Sequence, residues 1–60
     1  MKRYRLINEF KGNKKGTIFY VVAESEFIGV KEFVLRTEDL RHRLLVSEDE
    51  LVRYFLSLNK

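Results

Sequence analysis

No cysteine occurs anywhere in the chain, so neither a disulfide nor a thiolate zinc site is available to stabilise it. Histidine is nearly as scarce: His42 has no second histidine with which to share a metal, and a lone imidazole is a poor ligand set. Nucleophilic catalysis needs a Ser, Cys or Thr held beside an activated base. Here Ser47 reads as a helix cap, Ser25 sits in an acidic turn and Ser57 falls on a wet helix face. No run approaches the roughly 18 apolar residues that span a bilayer. The opening Met1-Lys2-Arg3-Tyr4-Arg5 also lacks the apolar centre of a signal peptide. These absences point away from an enzyme, a metalloprotein and a membrane protein. The expectation is a soluble, cytoplasmic binding module without cofactor, catalytic residue or metal.

What remains is a short chain rich in apolar and charged groups. Sixty residues make one domain, residues 1–60, and a chain of that size buries only about 60% of its unfolded surface. Five Phe and three Tyr among 45% hydrophobic residues give it enough material for a compact core, so disorder is not expected. The net charge is +3, but its distribution is uneven. Lys2, Arg3, Arg5, Lys11, Lys14 and Lys15 face only Glu9 within residues 1–15. Residues 24–39 hold Glu24, Glu26, Glu32, Glu38 and Asp39 against Lys31 and Arg36. Such asymmetry can set up a field with a positive pole if the fold keeps the two groups apart.

The layout is built around Thr17-Ile-Phe-Tyr-Val-Val-Ala23. Side chains alternate along a strand, so Ile18, Tyr20 and Val22 fall on one side and Phe19, Val21 and Ala23 on the other. Both sides are apolar, which predicts a central strand covered on both faces. Before it, residues 2–10 read as a strand with Tyr4, Leu6 and Phe10 on one face and Arg3, Arg5 and Ile7 on the other. The Lys11-Gly-Asn-Lys-Lys-Gly16 stretch between them is a strong turn signal, and the two strands form an antiparallel hairpin. Glu24-Ser25-Glu26 is expected to end the central strand. Phe27-Ile28-Gly29 then makes an apolar turn, and a third strand runs from about Val30 to Arg36. Thr37-Glu38-Asp39-Leu40 is a tight connection into a fourth strand, Arg41 to Val46.

Ser47-Glu48-Asp49-Glu50 is a capping box opening a helix, with three acids placed where the helix dipole favours negative charge. Helical spacing predicts a stripe of Leu51, Val52, Tyr54, Phe55 and Leu58, with Leu56 at its rim. The predicted class is α+β and mainly β. It is either a small SH3-like barrel or a strongly bent antiparallel sheet of four to five strands, with one C-terminal helix.

Two binding roles follow. The basic residues Arg3, Arg5, Lys11, Lys14, Lys15, Arg41 and Arg43, with Tyr4 at their edge, form a patch if the first and fourth strands lie near each other. Cations arranged this way neutralise phosphates, and an aromatic ring can stack on an unpaired base. Charged wet faces also keep strands solvated and stop edges from pairing, so the patch alone names nucleic acid only as the sharper expectation. The alternative is a protein-interaction module, an adaptor or inhibitor, using Phe27, Ile28, Val52 and Leu56. A homodimer through an edge strand or the helix is compatible with either. The paired carboxylates Glu38-Asp39 and Glu48-Asp49-Glu50 are accounted for by a solvated turn and a helix start. Gly12 to Gly16 lacks the strand-to-helix context of a phosphate loop.

Overall fold

The computed structural model describes residues 2–39 and 41–58. Five strands and one short helix follow in chain order: β1 (Arg3–Leu6), β2 (Ile18–Phe27), β3 (Val30–Thr37), β4 (Arg43–Ser47), α1 (Glu48–Tyr54) and β5 (Phe55–Ser57). The strands form one antiparallel sheet in the order β4-β3-β2-β1-β5. β2 is therefore the middle strand, as its composition predicts. The mainly-β architecture with a C-terminal helix and a fifth short strand is also as expected.

Curvature follows from chain length. A flat sheet of five strands would hold its edges about 19 Å apart. The connection between the edge strands β4 and β5 is the seven-residue helix α1, which spans only about 10 Å. The sheet must curl to let so short a bridge reach. A bulge in β2 between Val21 and Ala23 contributes, since an extra residue in one strand sharpens local twist. No ladder joins β4 to β5 among the described residues, so the strands form a strongly bent sheet.

The inner face holds the core. Leu6, Phe19, Phe33, Leu35, Val46, Leu51 and Phe55 are buried, with Tyr4, Phe10, Val21, Leu44 and Tyr54 packed around them. All but Phe10, which lies in the β1–β2 connection, come from the apolar parity of a strand or from α1. Phe55 meets Phe19 edge to face at 5.6 Å between ring centroids, and Phe10 stacks on Tyr54 at 4.4 Å, both favourable ring geometries. Thr37 is the one buried polar residue among those described. Its hydroxyl donates to Asp39 Oδ1 at 2.6 Å and accepts from the His42 N–H at 3.2 Å, while its own N–H donates to the His42 carbonyl. This knits the β3–β4 connection together (Leu40, placed there by sequence, lies outside the described residues).

The structure departs from four expectations. The first strand stops at Leu6 rather than Phe10; residues 7–13 leave the sheet so that Phe10 can cover Tyr54 and Phe55. β2 does not stop at Glu24-Ser25-Glu26 but continues to Phe27, paired with β3 throughout. Its outer face is not covered either: Ile18 and Tyr20 are half-buried, Val22 and Ala23 exposed, because the single helix packs on the inner side. The helix is likewise shorter than its apolar spacing suggests. It ends at Tyr54, with Phe55 already extended at φ −127° and ψ 153°. Leaving the helix there lets the Tyr54 carbonyl accept from the Ile7 N–H at 2.8 Å and lets β5 pair with β1. Val52, expected in the apolar stripe, points to solvent, 76% exposed.

Candidate nucleic-acid interface

Strand parity decides which side chains share the uncovered outer face, and register decides which stand side by side. Arg3 of β1 pairs with Tyr20 of β2, Tyr20 with Arg36 of β3, and Arg36 with Arg43 of β4. These four residues therefore form one line across four adjacent strands, all on the face opposite the core. Neighbouring strands are about 4.8 Å apart, so the line is roughly 14 Å long. On one side of it the next line is Ile18, Arg5 and Leu56. On the other side stand Ala23, Val34 and Leu45. The outer face is thus a row of guanidinium groups around one tyrosine, bordered by aliphatic side chains.

Further cations sit at one end of this face. β2 starts and β3 finishes at the same end, because Phe19 pairs with Thr37. That brings the turn containing Lys14 and Lys15 and the connection containing Arg41 to that end, and all three are exposed. Arg41 shares the end with Asp39, its Nε lying 3.9 Å from Asp39 Oδ2. A pair this exposed holds little energy. Asp39 accepts from the Thr37 hydroxyl and the Arg41 N–H. Those two hydrogen bonds, the first foremost, hold its carboxyl below the usual aspartate range.

Two residues expected in the patch stand elsewhere. Tyr4 lies against Phe19 on the core side, with Arg3 and Arg5 pointing the opposite way, since adjacent residues of a strand cannot share a face. Lys11 is engaged at α1: its Nζ is 3.9 Å from Glu50 Oε2, 3.5 Å from the Leu45 carbonyl and 5.3 Å from the Phe10 ring centre. Arg3, Arg5 and Arg43 do come together on the outer face. Sequence reasoning misses Arg36 because it falls in an acidic stretch, and Tyr20 because its strand looks buried on both sides. Parity already puts Arg36 opposite Phe33 and Leu35, but only the register brings it into line.

The apolar candidates are spread over three elements. Phe27 and Ile28 form the tip of the β2–β3 hairpin, Val52 lies on α1, and Leu56 sits on the outer face opposite Arg5. Among the described residues no cluster of His, Cys, Asp and Glu is arranged to hold a metal, and no helix is long and apolar enough to cross a membrane. No family model matches the chain, and no curated protein or solved structure matches it either, so the geometry alone carries the functional assignment.

Proposed function

We propose that this protein binds nucleic acid on the outer face of its sheet, without catalysis. The observation that carries the reading is the line Arg43–Arg36–Tyr20–Arg3. Concentrating like charge on one uncovered face costs folding energy, and a polyanion offsets that cost by bringing phosphates to the guanidinium groups. Arg5 beside the line and Lys14 and Lys15 at its end extend the positive surface. Tyr20 and the bordering Val22 and Leu45 offer ring and aliphatic contact to sugars and bases. The acidic residues Glu24, Glu26 and Glu32 lie in the outer half of the β2–β3 hairpin, towards its tip, so the field has a direction and orients the approach.

Amide spectra recorded while a short duplex or single strand is added test the reading. Shifts should concentrate at residues 3–5, 18–22, 34–36 and 43–45. Shifts confined to α1 and the hairpin tip, or none at low salt, would remove it.

A further inference from the structure

The outer half of β2 is paired on one side only. β1 meets β2 no further than Arg3 opposite Tyr20, with the Lys2 carbonyl accepting from the Val21 N–H at 2.9 Å. Beyond that, no described strand lies on this side of Ala23–Phe27, while β3 pairs with the other side as far as Phe27 and Val30. The hairpin turn has two central residues, Ile28 and Gly29, at φ 52° and 76°. A two-residue turn of this kind closes on a hydrogen-bonded pair. Ser25 and Phe27 therefore bond to β3, and Glu24 and Glu26 turn their N–H and C=O groups to the open side.

Exposed edges of this sort are blunted by charged side chains, bulges, proline or short length, and the glutamates here bar like-charged or neutral strands while leaving the edge open to a segment of opposite charge. This one offers two glutamates whose side chains share the face of Lys31 and Phe33, beside a cleft of about 270 Å³ lined by Glu24, Ser25, Glu26, Lys31 and Phe33. At its end Phe27, Ile28 and Val30 are 76%, 83% and 60% exposed. A β-branched residue at positive φ, as Ile28 is, is strained, and such strain clusters at functional positions.

We propose that this edge takes up an extended segment of another protein as an added strand. Lysine or arginine at alternate positions of that segment faces Glu24 and Glu26, and its other side chains lie beside Ala23 and Phe27. Backbone hydrogen bonds supply the affinity of such an arrangement and alternate side chains the selectivity. Charge argues against a second copy of this chain. Antiparallel pairing of two such edges about Ser25 sets Glu24 against Glu26 twice, and like charges directly opposed repel. The edge lies outside the arginine line, so this proposal stands or falls separately from nucleic-acid binding.

The test uses a blocked, labelled Val-Lys-Val-Lys-Val-Lys-Val peptide and the full chain in nucleic-acid-free buffer. Saturating peptide should slow exchange at the Glu24 and Glu26 amides at least tenfold, an effect tied to those hydrogen bonds. Replacing lysine by glutamate in the peptide should abolish binding, and N-methylating its alternate amides should do the same. Glu24→Gln with Glu26→Gln should weaken affinity at least threefold, since both residues are exposed and the fold is expected to persist. Arg43→Ala should leave it unchanged. Equal binding by the N-methylated peptide, protection at β4 or β5 instead, or Glu24 and Glu26 amides already slow in a self-associated chain would each overturn the proposal.

Discussion

Arg36 of β3 and Arg43 of β4 stand directly opposite each other on the uncovered face of the sheet. Cross-strand like charges repel each other across the pair they occupy. The juxtaposition makes sense where an anion is brought to the face. The account predicts that Arg43→Glu stabilises the isolated domain by about 0.5 kcal/mol while weakening nucleic-acid binding. Denaturant midpoints and binding isotherms on the same sample check both halves.

A second opposition between stability and surface chemistry occurs at Ile28, whose φ of 52° suits asparagine or glycine far better than isoleucine. Ile28→Asn should raise the unfolding free energy by about 1 kcal/mol, the usual scale for relieving a left-handed β-branched residue. Thermal unfolding of the two proteins measures it; a lower melting temperature for Ile28→Asn would show that the exposed side chain contributes packing.

The start of α1 rests on reciprocal hydrogen bonds: the Glu50 N–H donates to Ser47 Oγ at 3.1 Å, and the Ser47 N–H donates to Glu50 Oε1 at 3.0 Å. Ser47→Ala should cost about 1 kcal/mol. Because α1 is the bridge that holds the two sheet edges together, the loss should register as faster exchange in β5 as well as in the helix.

Asp39 gives a pH dependence of definite sign. Its carboxyl titrates below the ordinary value because the Thr37 hydroxyl and the Arg41 N–H donate to the charged form. A group depressed in the folded state contributes stability that is complete above its unfolded value of about 3.9 and is lost as pH falls through its folded value. Thr37→Val should raise the Asp39 midpoint seen by carbon-13 titration. An unchanged midpoint would mean the hydroxyl is not the donor that matters.

The helix start is legible in the sequence because a capping box is local: Ser47 and Glu50 sit three residues apart whatever else the chain does. The helix end is not, because Phe55 satisfies helical spacing and also suits a strand; β1's free edge decides the matter. Similarly, Glu24 to Glu26 reads as a strand end until Ile28 and Gly29 are seen to close a two-residue turn, a position isoleucine rarely fills. Arg3 and Arg5 can be assigned to one face from parity within β1. Their alignment with Tyr20 and Arg36 depends on register between strands and on the bulge after Val21, which no single strand's sequence contains. Parity already sets Tyr4 on the face opposite Arg3 and Arg5, and its packing against the core beside Phe19 keeps it from reaching the edge of the basic patch.

The salt dependence of binding to a labelled oligonucleotide duplex distinguishes arginines that neutralise phosphates from arginines that only keep the sheet solvated. A log–log plot should be linear, and replacing Arg36 and Arg43 together by alanine should reduce its slope by about 2, roughly 0.9 for each phosphate no longer neutralised. An unchanged slope in that double variant, or no binding by the parent protein at low salt, would contradict the account.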